Sequence, residues 1–219
     1  MSPLRFHFDY LSPYAYLVWT RLPGIAARHG RPVEIVPVLL AGLLGAHGQK
    51  GPAEIPAKRL YTFKDTLRKA AAWGVVLSPP ASLPFNPLAP LRVSSLELAP
   101  DARTRLVDAL WRATWAEGRD VSDAGVVAAI ADGVGLDGRA LIAEAATDAA
   151  KARLRAQTDA AIAGGVFGVP TVVVDGEPFW GTDALPHLER FLEGRDPVGP
   201  GELARFEAIR PSAMRPAGR

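Results

Sequence analysis

The sequence predicts an α/β protein whose small sheet comes from its two ends, with a long run of helices between them. Three observations carry this. Apolar residues alternate with polar ones at the start of the chain. β-Branched residues return at Thr171–Val174. Between them, positions 41–165 are rich in alanine and helical in period. The order is βαβ, many helices, then ββα.

Leu4, Phe6 and Phe8 alternate with Arg5, His7 and Asp9, the pattern of a half-buried strand. Ser12 is a suitable N-cap and Pro13 a suitable first helical residue. Ala15, Val18, Trp19, Leu22 and Ile25 follow at helical spacing, and Pro23-Gly24 bends or ends that helix. Val33 to Val38 reads as a second strand parallel to the first, which makes a right-handed βαβ unit. Leu60, Phe63, Leu67 and Ala70 make one apolar helix face in the middle region. Leu106, Leu110 and Ala113 make another, capped by Asp101 after Pro100. Shorter helices start at Ser122 and Asp137 and a longer one at Asp148, while the proline-rich stretch Ser78 to Pro90 is a loop. After Thr171–Val174, Asp175-Gly176 signals a turn and Pro178-Phe179-Trp180 a short strand, which the proline places at an edge or at a strand start. Gly181-Thr182-Asp183 opens a last helix with Leu185, Leu188 and Leu192 inward. There is no internal repeat.

At 219 residues, with 48% hydrophobic and 22% charged residues, the chain has the composition of an ordinary globular protein. Met1 to Arg5 runs straight into strand pattern, with no secretory signal, and no apolar run is long enough to span a membrane. A cytoplasmic protein without a membrane partner is the expectation. The chain has no cysteine, which excludes disulfides, thiolate metal sites and self-contained dithiol redox chemistry. Net charge is only +2 with the signs mixed, and the basic concentration of Arg205, Arg210, Arg215 and Arg219 reads as a solvated tail, so no nucleic-acid partner is expected. His7, His29, His47 and His187 are scattered without ligand spacing, and no metal site is expected. Gly133 to Gly138 fits the dinucleotide fingerprint by letters but follows helix pattern rather than a strand. No Gly-x-Ser-x-Gly elbow occurs.

Two places stand out: Ser12, where strand gives way to helix, and Pro170, just before the β-branched run. A thioredoxin-like fold sets such places side by side, the start of its first helix and a proline loop. The first usually carries a cysteine; here it carries serine. The expected organisation is a thioredoxin-like domain from 1–40 and 166–196, an inserted all-helical domain at 41–165, and a Pro/Arg-containing C-terminal tail at 197–219.

Phe8-Asp9-Tyr10-Leu11-Ser12-Pro13-Tyr14-Ala15-Tyr16-Leu17 resembles the N-terminal signature of 2-hydroxychromene-2-carboxylate isomerases and kappa-class glutathione transferases. Val166-Phe167-Gly168-Val169-Pro170-Thr171 with Phe179-Trp180-Gly181-Thr182-Asp183 is similar to that group too, as is Gly48-Gln49-Lys50-Gly51-Pro52 with Pro56-Ala57-Lys58-Arg59-Leu60-Tyr61. The three segments fall in the right order across nearly the whole chain before the tail. The resemblance implies a DsbA-like thioredoxin fold, glutathione as cofactor, a small aromatic substrate and a homodimer. It places the catalytic serine at Ser12 and glutathione contacts at Val169, Pro170, Thr182, Asp183 and Gln49, the last in place of a common asparagine. Glu54 stands where the isomerase branch has asparagine. The implied activity is isomerisation of 2-hydroxychromene-2-carboxylate-like compounds by reversible thiolate addition. The alternatives are a kappa-class-like transferase or peroxidase, or a non-catalytic thioredoxin-like binding module.

Each residue also has a plainer role. Ser12 can simply cap a helix; as a hydroxyl donor at a helix N-terminus it would favour the glutathione thiolate. Lowering a thiol pKa of about 8.5 by about two units corresponds to roughly 2.7 kcal/mol. Pro170 can merely start a strand; a cis bond there would leave the Val169 backbone open to pair with glutathione like an added strand. Thr182 and Asp183 are first of all capping residues, though Asp183 can also accept from an ammonium group. Lys50, Lys58 and Arg59 can be solvated charges or can hold a carboxylate, with Lys50 favoured. Tyr14, Tyr61 and Trp180 wall the pocket or belong to the core.

Overall fold

The computed structural model describes residues 1–210. The first part comprises β1 (Leu4–Phe8), α1 (Pro13–Trp19), α2 (Leu22–Arg28) and β2 (Val33–Pro37). Seven helices follow: α3 (Leu40–Ala46), α4 (Pro56–Trp73), α5 (Leu88–Ser95), α6 (Pro100–Trp115), α7 (Ala124–Gly133), α8 (Gly138–Ala145) and α9 (Asp148–Ala163). β3 (Thr171–Val174), β4 (Glu177–Trp180), α10 (Leu185–Leu192) and α11 (Pro200–Glu207) complete the order, with short 3-10 turns at Pro52–Glu54 and Thr182–Ala184. The α/β class and the βαβ…ββα order are those the sequence predicts.

The four strands form one mixed sheet in the order β2-β1-β3-β4. β1 runs parallel to β2, with Leu4 opposite Val33 and Phe8 opposite Pro37. It runs antiparallel to β3, with His7 opposite Thr171. β3 and β4 are antiparallel and joined by Asp175 and Gly176, whose φ values of 53° and 89° match the positive φ that a two-residue hairpin turn needs. Pro178 sits on β4 at the sheet edge, where a missing N–H donor is tolerated.

β1 is more than half-buried, with Arg5 its one exposed residue. Phe6 and Phe8 pack on one face against Trp19, Tyr10 and Trp111. On the other face His7 and Asp9 are 3% and 0% exposed. His7 is the register partner of Val36, which belongs to a second apolar cluster with Leu43 of α3 and Ala161 of α9. From His7 onward both sides of this inner strand are therefore covered, and only Arg5 keeps the exposure that the alternation implies for its face.

Three other expectations shift. The first helix pattern divides, because α1 ends at Trp19 and Pro23 sits in the first turn of α2 rather than ending a helix. Asp123 rather than Ser122 caps α7, and Ala99 occupies the N-cap of α6, leaving Asp101 in its first turn. In α4, Leu60 and Leu67 are more than half exposed, while Thr66 and Ala70 are buried. The tail carries α11; the expectation for Arg215 and Arg219 lies outside the described residues. Among the described residues no helix is long and apolar enough to cross a membrane.

Candidate active site

β1 delivers the chain to Ser12, and the core fixes the segment between them. Tyr10 stacks on Trp111 at 4.5 Å, and its carbonyl accepts a hydrogen bond from Trp115 Nε1 at 2.8 Å. Asp9 Oδ1 accepts from the Leu11 N–H at 3.0 Å, and the Asp9 carbonyl accepts from the Ser12 N–H at 3.0 Å. Ser12 then starts α1 with extended backbone, and its Oγ accepts from the Ala15 N–H at 3.2 Å. The capping bond uses a lone pair and not the proton. Among the described residues that O–H has no acceptor, so capping and donation into the neighbouring space are compatible.

The proline loop approaches from the other half of the chain. The Val169–Pro170 bond is cis. Neither the N–H nor the C=O of Val169 has a hydrogen-bond partner among the described residues. The Pro170 carbonyl accepts from the Gly181 N–H at 2.9 Å, and Thr171 Oγ1 donates to the Gly168 carbonyl at 2.7 Å, so the loop is tied down on both sides. Residue 168 must be glycine for this arrangement, because a Cβ there would lie 2.9 Å from the Trp180 indole nitrogen.

Ser12 and Val169 face one cavity of about 860 Å³. Tyr14, Gln49, Lys50 and Tyr61 line it too, so six of the nine site residues singled out in the sequence share its wall. Leu40 and Leu44 of α3, Leu83 and Pro84 of the loop before α5, and the Phe167–Trp180 ring pair at 5.2 Å make the lining largely apolar. Lys58, Arg59 and Glu54 lie at the same mouth, with Glu54 Oε1 accepting from the Gly51 N–H at 2.6 Å. Of the other three, Thr182 and Asp183 line a separate pocket of about 460 Å³ with Arg68, Lys69 and Trp73. Pro170 is buried behind the Val169 wall.

Sequence reasoning missed the polar groups that brace this site. Asp9 Oδ2 accepts from the Leu40 N–H at 2.9 Å, so one carboxylate ties the Ser12 turn to the first residue of α3. Complete burial pushes this carboxyl up to about 6, against the pull of its two backbone donors. Two positions back, burial and then the Arg5 charge bring His7 down to about 4, and its Nδ1 has no partner. Tyr14 donates to Asp65 Oδ2 at 2.9 Å; burial and this bond raise its phenol, which keeps it protonated. Lys69 reaches the same oxygen at 2.8 Å and Asp183 Oδ1 at 3.1 Å, with its ammonium 5.3 Å above the Tyr14 ring. In sequence Asp65 and Lys69 are an ordinary i,i+4 surface pair, and only the fold brings Tyr14 and Asp183 to them.

Comparison with known proteins agrees with this architecture. A family model described as the DSBA-like thioredoxin domain matches residues 4–193. A 2-hydroxychromene-2-carboxylate isomerase of Sphingobium xenophagum is 32% identical over 191 residues, 86% of this chain and 97% of the relative. Glutathione S-transferase kappa 1 of Rattus norvegicus is 27% identical over 212 residues, 90% of this chain and 93% of the relative. A solved structure of 2-hydroxychromene-2-carboxylate isomerase superposes with a TM-score of 0.81 at 30% identity, covering 95% of this chain and 98% of the other. With nearly all of the sheet and its helices inside the matched span, this chain belongs to the DSBA-like thioredoxin domain family.

Proposed function

We propose that the protein is a glutathione-dependent isomerase acting on 2-hydroxychromene-2-carboxylate-like aromatic catabolites. One observation carries this. The uncommitted Ser12 proton and the unpartnered Val169 backbone face a single apolar cavity in a chain that has no thiol of its own. A site of this kind fits a thiol-bearing peptide, whose backbone can pair with Val169 while its sulfur meets Ser12. Bound glutathione would supply the nucleophile, a thiolate that adds reversibly to a conjugated system and is recovered unchanged.

The protein's own residues have distinct tasks. Ser12 donates its O–H to the sulfur, which favours the anion at neutral pH. Its backbone is held by Asp9, so the donor does not have to reorganise. Leu40, Leu44, Phe167 and Trp180 exclude water and accept the faces of an aromatic ring. Lys50, aided by Lys58 and Arg59, holds a substrate carboxylate at the mouth; none of the three is in an ion pair among the described residues. Tyr14 stays protonated and orients rather than exchanges a proton.

A kappa-class-like transferase or peroxidase is the second reading. Glu54 favours it: a carboxylate already bound to the Gly51 N–H stands where the isomerase branch has an amide. A homodimer, implied by the resemblance, belongs to either reading, and sedimentation at micromolar concentration tests it. The deciding experiment is a glutathione-dependent screen over hydroxychromene carboxylates, chloronitrobenzene and cumene hydroperoxide. Isomerisation without net consumption of glutathione supports the first reading. Consumption of glutathione with the other two electrophiles alone supports the second. No heat and no thermal stabilisation at millimolar glutathione would remove both.

A further inference from the structure

The smaller pocket beside the cavity joins Thr182 and Asp183, which the resemblance assigns to glutathione, to two cations of α4 that it does not assign. Its walls come from two separate parts of the chain. Arg68, Lys69 and Trp73 are on α4; Thr182 and Asp183 follow β4. Asp183 is 87% exposed through its side chain and uses Oδ1 toward Lys69, leaving Oδ2 without a partner among the described residues. Lys69 spends one N–H on Asp65 and one on Asp183, and an ammonium has three. Arg68 is in no ion pair among the described residues. The pocket thus offers one free carboxylate oxygen next to one free ammonium N–H, with a guanidinium alongside.

A simple anion would meet Asp183 as a repulsive neighbour, and a simple cation would meet Lys69 and Arg68. The group that satisfies both at once is zwitterionic: an ammonium and a carboxylate on one carbon. The pocket also adjoins the cavity, because Tyr14 lines the cavity while its ring lies under the Lys69 ammonium. A ligand with its sulfur at Ser12 can reach past Tyr14 and place its far end here.

We infer that Lys69 is a specificity-determining residue that selects thiols bearing a free α-amino-acid end, pairing with their carboxylate while Asp183 takes their ammonium. This rests on the glutathione reading and adds a determinant on α4 to it. Lys69 serves a second purpose without a ligand, since it neutralises Asp65 and Asp183 and holds the Tyr14 wall upright.

The experiment compares two thiols by calorimetry on the full chain: glutathione, and cysteinylglycine, which lacks the γ-glutamyl end. Lys69→Met is expected to bind glutathione about tenfold more weakly, with cysteinylglycine unchanged. Lys69→Arg is expected to recover most of the loss. A thermal melt of each variant separates this from unfolding, and unchanged cysteinylglycine binding does so a second time. Equal glutathione affinity in Lys69→Met and the parent overturns the inference. So does tighter binding, which would make Lys69 an internal occupant of the Asp183 site that the ligand must displace. Equal losses for both thiols overturn it too and reduce Lys69 to a support for Tyr14. Failure of the parent to bind glutathione at all removes the glutathione reading, and this inference with it.

Discussion

The cavity has a buried base and an exposed rim, and the two are built by different physics. The base is the Asp9–Ser12 turn and the Val169 loop. There Asp9 is 0% and Ser12 7% exposed, and the backbone is held by Trp115, Asp9 and Gly181. The rim is Gln49, Lys50, Lys58 and Arg59, all exposed. Side chains at the base are already desolvated and aimed, so a hydrogen bond there acts at nearly full strength. Side chains at the rim are hydrated and mobile, so their charges act over distance and are screened. Chemistry belongs at the base and recognition at the rim, and each prediction below tests that division.

Ser12→Ala should have the largest effect. Losing a positioned donor of this sort typically costs about 10²–10⁴ in rate, read at pH 7 with whichever electrophile the screen identifies. The loss should shrink at high pH, where the thiol ionises unaided, and thiolate absorbance near 240 nm should titrate at higher pH in the variant. The capping bond to Ala15 accounts for only about 1 kcal/mol of stability. Wild-type turnover at pH 7 would leave Ser12 as a cap alone.

His7 and Asp9 sharpen the comparison through stability. Asp9 holds its proton more tightly folded, at about 6, than its ordinary value of 3.8, so its contribution is full below about pH 4 and lost as pH rises through 6. His7 is the reverse: its folded value of about 4 lies below 6.5, so its contribution is full above about pH 6.5 and lost as pH falls toward 4. The two oppose each other between pH 4 and 6, each by up to about 3 kcal/mol. Removing one exposes the other. Urea midpoints of Asp9→Asn should fall more steeply than the parent's on acidification across that window, and those of His7→Leu should rise. Parallel pH profiles in all three proteins would show that this face of β1 is not as dry as its burial implies.

At the rim, Lys50→Ala should raise KM for a carboxylate-bearing electrophile only about three- to fivefold, with kcat held. The difference should vanish near 0.5 M salt, where the screening length falls to a few ångströms. An uncharged electrophile should show no difference at any salt. A large loss of kcat that salt does not touch would move Lys50 into the base and erase the division.

Legibility in the sequence follows the same line. The base was readable because its signals are local: a strand period, a Ser-Pro cap and a proline before β-branched residues. Those signals gave the strand order of each half, the two-residue turn at Asp175-Gly176 and the meeting of Ser12 with Val169. What failed depended on partners far along the chain. Alternation placed His7 and Asp9 at a wet face, but α3 and α9 cover it. The pairing of Asp183 with Lys69 of α4, in a pocket beside the cavity, was equally out of sight. Neither contact leaves a trace in the local pattern of its own segment.

The helix α4 gives the smallest predicted effect and the cleanest test of that lesson. Its period marks Leu60, Phe63, Leu67 and Ala70 as one inward face. Against α1, however, the helix turns so that Thr66 and Ala70 are buried, with the Thr66 hydroxyl donating to the Thr62 carbonyl at 2.9 Å. Tyr14 and Lys69 explain the rotation. Asp65 must face Tyr14, and Lys69 must bridge to Asp183, which carries Leu60 and Leu67 outward to 57% and 55% exposure. Leu67→Ala should therefore cost less than about 0.5 kcal/mol, within the range of ordinary surface changes. A leucine packed in the core would cost about 2–5 kcal/mol when cut to alanine. A chemical-denaturation midpoint separates the two easily. A core-sized loss would mean that the apolar period, and not the Tyr14–Asp65–Lys69 bracket, sets how α4 lies against the base.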